Sequence, residues 1–447
     1  MTRRHGYALL SAIVALIAVL SAAIYIGVAS DNGSGESSKN SLSGPRAPHN
    51  SAAPASTGAW VGSWSASPVG GEPGTETAGL AGRSLRNVVH TAIGGTSARI
   101  TLSNLYGQAP LTVTHASIAV AAGTGSAEAV VATMRRLTFG GNTVVVIPAG
   151  QQVLSDTVAL RVPADSDILV TTYSPTPSGP VTYHPHARQI SYAARGDRTE
   201  DPTATAYTER TEYWRYLTAL DVLSDEAAGT VVAFGDSLTD GVGSTENTNR
   251  RWPDILSDRL HAALHSGQDV PRYSVVNQGI GGNQVLADGL GRPAENQAGV
   301  SRFARDVLGR PNVKVVVVDL GINDILRNPR LADHPDQVVA GLRSLVRQAH
   351  ARGIKVIGAT LMPFGGHHGY SEARENVRQA INAEIRAGRV YDAVVDFDKV
   401  VRDPYDPRRF RPDYDSGDHL HPSDQGYERM AQALDLNALK GSAPTRL

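Results

Sequence analysis

From Thr230 to the C-terminus, short runs that are apolar on both faces alternate with stretches of helical spacing, and this alternation constrains the fold most. A strand without a polar face must be covered on both sides. Parallel sheets wound through helices provide that cover, whereas antiparallel sheets commonly leave one face wet. Val231 to Phe234, Tyr273 to Val276, Lys314 to Leu320, Ile354 to Thr360 and Ala393 to Phe397 read as five such strands. Trp252 to Leu264 has helical spacing, with Pro253 suited to a first turn. Val338, Val339, Leu342, Leu345 and Val346 mark one helix face, and Ser423 to Leu436 reads as a last helix. The predicted class is α/β, a doubly wound parallel five-stranded sheet. Ligands of such sheets bind beyond the carboxyl ends of the strands.

The preceding part of the chain has another rhythm. From Trp60 to Ser224, β-forming runs are separated at short intervals by Gly, Pro, Asn and Asp. Ala98 to Leu102 alternates, as do parts of Leu111 to Ala119. Val144 to Ile147 reads as a buried run ending at Pro148, and Val158 to Val162 and Ile168 to Tyr173 as further strands. Many short strands with turn punctuation predict an antiparallel sandwich or jelly roll.

The N-terminus has neither pattern. Arg3, Arg4 and His5 precede the almost wholly apolar run Tyr7 to Ala29, which reads as a signal peptide or a membrane anchor. Val28-Ala29-Ser30 offers small residues for cleavage. Asp31 to Gly58, rich in Ser, Gly, Asn, Ala and Pro, reads as a disordered linker. The expected organisation is therefore 1–30 leader or anchor, 31–58 linker, 59–226 β-sandwich accessory domain and 227–440 catalytic domain. A formal net charge of −1 supplies no basic field for nucleic acid. The absence of Cys rules out thiol catalysis and thiolate metal sites.

Four segments carry chemistry. The first α/β strand runs into Gly235-Asp236-Ser237-Leu238-Thr239-Asp240-Gly241, which puts Ser237 at the open edge of the sheet. A Ser there is also an ordinary N-cap, and as a nucleophile it needs a base. Asp418 and His421, three apart before the last helix, can supply one, with the carboxylate fixing the imidazole. His419 lies one residue from Asp418 and should point elsewhere. Acyl transfer further needs donors for an oxyanion. Asn323, in Gly321-Ile322-Asn323-Asp324, is either such a donor or part of an Asx turn. The glycines of Asn277-Gln278-Gly279-Ile280-Gly281-Gly282-Asn283 let a backbone N–H approach a ligand closely, or simply form a turn. GxGxxG and a following Lys-Ser/Thr are absent there, which argues against a nucleotide.

Together these blocks resemble the SGNH, or GDSL, hydrolase family. Gly235-Asp236-Ser237-Leu238 matches its Ser block, Asn277 to Gly282 its Gly block, Gly321-Ile322-Asn323-Asp324 its GxND block and Asp418 to His421 its DxxH block. The resemblance spans about Thr230 to Leu436. It implies a flavodoxin-like three-layer fold and a carboxylic ester hydrolase. Ser237, Asp418 and His421 would be catalytic, and Ser237, Gly282 and Asn323 would form the oxyanion hole. No cofactor or metal is implied. The opening Trp60-Val61-Gly62-Ser63-Trp64-Ser65-Ala66-Ser67-Pro68 resembles two-domain secreted members.

The substrate expectation is an acylated small molecule, carbohydrate or lipid, met outside the cell by a secreted protein or one tethered through residues 7–29. An acyltransferase or a lipase would use the same triad. A different reading makes the β region a polysaccharide-binding envelope module, with Trp60, Trp64, Tyr213 and Trp214 stacking on sugars or else serving as core. Pro363 to Tyr370 should overhang the cleft. Its His367 and His368, like Tyr183-His184-Pro185-His186, invite a metal-ligand reading, with substrate contact or a solvated loop as the alternative.

Overall fold

Val315 to Val318 are fully buried, as expected of a strand covered on both faces. They lie in the middle strand of a parallel five-stranded sheet in the computed structural model, which describes residues 58–289, 296–328 and 334–443. The sheet order is Tyr273–Gly279, Gly229–Gly235, Val313–Asp319, Lys355–Ala359 and Ala393–Val395, every pair parallel. The first strand in sequence therefore has the second on one side and the third on the other. That reversal of strand order is where parallel α/β sheets open a crevice.

Helices Trp252–His265, Pro335–His350 and Asp424–Ala433 stand where periodicity and capping put them, Ser423 accepting from the Gly426 N–H. Several elements differ from expectation: the fifth strand ends at Val395, so that Phe397 opens helix Phe397–Val401, and the last helix ends at Ala433 rather than Leu436. The strand from Tyr273 runs on to Gly279, because its pairing continues through Ala233–Asn277, Phe234–Gln278 and Gly235–Gly279. Helix Glu372–Arg386 was not foreseen. Only Val377, Ile381 and Ile385 form its apolar stripe, and the rest of its buried face is polar: Glu375, Arg378 and Asn382.

The earlier residues form two larger antiparallel sheets, one of five strands and one of six. The first contributes Val61, Ile100, Leu160, Leu220 and Val222 to a core, and the second Leu85, Val89, Ile118, Ile168 and Val170. The run at Val144 to Ile147 is not buried as expected. Val144 and Val146 are 49% and 55% exposed, because Val145–Ile147 pairs with Leu111–Val113 in a two-stranded ribbon that buries one face only. The described residues belong to one compact unit with two main cores. Gly62 lets the first β strand approach the parallel sheet. An added Cβ would come 3.0 Å from Val276, and the Gly62 N–H donates to Thr230 Oγ1 at 3.2 Å. Among the described residues no helix is long and apolar enough to cross a membrane. The apolar run Tyr7 to Ala29 and the linker up to residue 57 lie outside them.

Candidate active site

Ser237 opens a short helix, Ser237–Asp240, directly after the strand at the sheet's switch point. Gly235 makes the turn feasible, since a Cβ there would overlap the Thr239 hydroxyl and the Asp319 carbonyl. Asp236 caps the helix by accepting the Leu238 N–H at 3.1 Å. The strand end and cap together fix where the Ser237 hydroxyl sits.

The DxxH segment reaches this hydroxyl from the far end of the sequence. His421 Nε2 lies 2.8 Å from Ser237 Oγ, and its Nδ1 lies 2.5 Å from Asp418 Oδ2. Asp418 Oδ1 also accepts the backbone N–H groups of Leu420 and His421, at 2.9 and 2.8 Å. The carboxylate thus shapes the turn as well as orienting the ring. Burial raises the Asp418 carboxyl, but the hydrogen bonds from the His421 ring and backbone outweigh it and hold the group below the usual carboxylate range. His419 is turned away, at φ 61°, with Nδ1 2.6 Å from Asp415.

Asn323 is in the first turn of helix Ile322–Arg327, after Gly321 at φ 136°. Its Oδ1 accepts from Arg327 Nε at 3.0 Å, and its Nδ2 donates to Asp236 Oδ2 at 3.1 Å. Those partners set the amide's orientation and use one of its two hydrogens. Gly282 is buried and left-handed, at φ 74°. Asp324 accepts the N–H groups of Val285 and Leu286 at 2.7 and 3.2 Å, which ties the glycine loop to the Asn323 helix. Burial raises the Asp324 carboxyl to about 7 and that of Asp236 to about 6, against hydrogen bonds that lower both.

Sequence reasoning missed Arg302. It is fully buried and donates to the carbonyls of Gly235 and Gln278, both at 2.8 Å, and to Asn283 Oδ1 at 3.0 Å. It also donates to Ser67 Oγ at 3.1 Å and pairs with Asp306 at 3.0 Å. One guanidinium thereby joins the ends of two strands, the glycine loop and the β region. No local motif surrounds this Arg, so no sequence signal marked it.

The other suspected residues divide. Trp64 and Trp214 are core, 5% and 2% exposed, with rings edge to face at 4.8 Å. Packed this way, neither offers a face to a sugar. Trp60 lies under the Arg99 guanidinium, and Tyr213 packs on Tyr183. His367 and His368 stack with centroids 4.0 Å apart. Burial and the neighbouring His368 lower the pKa of His367, whose charged surroundings include Asp418, His421 and Arg327. Among the described residues no three His or carboxylate groups are arranged to hold a metal.

Residues 233–429 match the model of the GDSL-like lipase/acylhydrolase family. This part of the chain belongs to that family. The acylhydrolase domain contains every residue of the serine–histidine–aspartate cluster, and the family makes it an ester hydrolase. The chain has no match among curated proteins. It is similar to several solved structures. One is a GDSL-like lipase from Bacteroides thetaiotaomicron, at 22% identity and TM-score 0.31, covering 45% of this chain and 84% of that one. A carbohydrate acetylesterase from Sinorhizobium meliloti shares 17% identity at TM-score 0.34, covering 46% and 95%. An aryl esterase from M. smegmatis shares 19% at TM-score 0.33, also covering 46% and 95%.

Proposed function

We propose that the chain is a secreted serine esterase that hydrolyses short-acyl carboxylic esters through Ser237, His421 and Asp418. The observation that carries this reading is the unbroken hydrogen-bonded line from Ser237 Oγ through both ring nitrogens of His421 to Asp418. His421 takes the Ser237 proton as the hydroxyl attacks the ester carbonyl. Asp418 holds the ring and stabilises the imidazolium that forms. The oxyanion lies against the N–H groups of Ser237 and Gly282 and the free hydrogen of the Asn323 amide. His421 then protonates the leaving alcohol, and water cleaves the acyl-enzyme by the same route.

A short acyl group and a hydroxylated alcohol suit the polar surroundings of the triad, where Arg327, His367 and Asp418 interact electrostatically. Export is supported by the apolar run Tyr7 to Ala29. We read 59–226 as an accessory sandwich, of jelly-roll type, and 227–440 as the catalytic domain. The test is hydrolysis of p-nitrophenyl acetate, butyrate and longer esters by the wild type and by Ser237→Ala. Turnover of the short esters is expected, with a loss of about 10³-fold or more in the variant. Hydrolysis that survives the substitution would remove Ser237 from the reaction.

A further inference from the structure

The loop that carries Gly282 is held on both sides of Gly281. The Gly281 N–H donates to Asp240 Oδ2 at 3.0 Å, and the Gly281 carbonyl accepts from Asn296 Nδ2 at 3.3 Å. A peptide unit is planar and trans, so its carbonyl and the next N–H point in opposite directions. Holding the Gly281 carbonyl therefore aims the Gly282 N–H, and holding the Gly281 N–H anchors the preceding peptide, from which the Gly281–Gly282 unit is hinged. Gly279 packs so tightly on Asp240 that a Cβ would overlap its backbone.

Asp240 is itself held. It is 2% exposed, and its Oδ1 lies 2.9 Å from His184 Nε2. His184 is 3% exposed and lies on the short strand Thr182–His184, outside the matched residues 233–429. Its Nδ1 lies 2.7 Å from the Ser67 carbonyl. Ser67 Oγ in turn contacts the Gln278 side chain and accepts from Arg302. The His184 ring also packs against Trp214 at 5.4 Å. A buried carboxylate must be fully hydrogen-bonded to be tolerated. Here one oxygen faces the β region and the other faces the glycine loop.

We infer that His184, through Asp240, is a positioning residue for the Gly282 oxyanion donor, so that the β region completes the catalytic site. The inference rests on the proposed role of Gly282 in ester hydrolysis. An oxyanion donor acts mainly on the transition state, so displacing it lowers kcat and leaves KM nearly unchanged. His421, Asp418 and Asn323 stay in place, so the loss is smaller than deleting a donor.

The experiment compares kcat, KM and melting temperature for p-nitrophenyl acetate in full-length wild type, His184→Ala, Asp240→Ala, the double variant and Asp240→Asn. Each alanine variant is expected to lose roughly 10–100-fold in kcat, as a displaced reacting group does, with KM near wild type. The double variant should lose no more than the worse single one, because both act along one path. Asp240→Asn should recover most of the loss, since an amide can accept from Gly281 and donate to a neutral imidazole. If His184→Ala does not fold, His184→Asn carries the test, because it keeps a donor toward Ser67 and does not reach Asp240. Folded variants with wild-type kcat, or losses that multiply in the double variant, would overturn the inference. A wild type that is inactive, or activity that survives Ser237→Ala, would instead overturn the proposed function on which it rests.

Discussion

A serine hydroxyl is a weak nucleophile near neutral pH, so what Ser237 can do depends on its neighbours. Two histidines stand within two residues of each other in the DxxH turn, and only His421 reaches Ser237. His419→Ala should therefore leave ester turnover at the wild-type level, whereas His421→Ala should abolish it; equal losses would contradict the assignment. Asn323→Ala should lower kcat by about 10²–10³-fold with KM little changed, the usual cost of removing one oxyanion donor. A loss confined to KM would make Asn323 a ground-state contact instead. Ser237, Asn323 and His421 were legible because each stands in a short block at the end of a strand or before a helix. Arg302 and Asp240 were not, because their roles depend on partners distant in sequence, such as Ser67 and His184.

At the scale of elements, the apolar strands and the capped helices were readable, and helix Glu372–Arg386 was not. Its buried face is completed by ions: Arg378 pairs with Glu375 and with Asp398, both at 2.6 Å. A pattern search for apolar residues passes over such a helix. Two substitutions test how elements carry the site. Ser423 caps the helix after His421 and donates to the Asp413 carbonyl at 2.7 Å. Ser423→Ala should cost about 1 kcal/mol in urea unfolding, as lost N-caps typically do. Gly358→Ala would drive a Cβ into the Tyr391 ring. It should destabilise by about 1–3 kcal/mol, as overpacked cores do, and an unchanged unfolding midpoint would mean that the ring moves aside freely.

For the whole molecule, two buried carboxyls beside the site set a pH dependence. Asp324, normally near 3.8, is raised to about 7 by burial. A raised carboxyl favours the folded state while protonated. Its contribution is full below about pH 4 and is lost as pH rises toward 7. Asp236 acts in the same sense up to about 6. One such proton gives a slope of about 1.4 kcal/mol per pH unit. Asp324→Asn should remove one proton's worth of slope from urea unfolding free energies between pH 5 and 7. An identical slope in the variant would show that Asp324 ionises in the folded protein without penalty. Asp418 works in the opposite sense: its depressed pKa gives stability that is present above about pH 4 and lost below it.

The sequence by itself determined the parallel α/β sheet, the β-rich segment before it and the four blocks whose residues meet at one sheet edge. Local periodicity and turn chemistry specify strands, helices and loops, and a parallel sheet then brings strand ends together without further information. Only the tertiary structure decided which atoms touch: that Asp236 and Arg327 orient Asn323, that Arg302 fastens two strand ends, and that His184 reaches Asp240. Apart from the one-turn Asn323–Arg327 contact, these join residues distant in sequence through packing within and between the two cores, and packing depends on shape and burial across the whole chain, which no local window records.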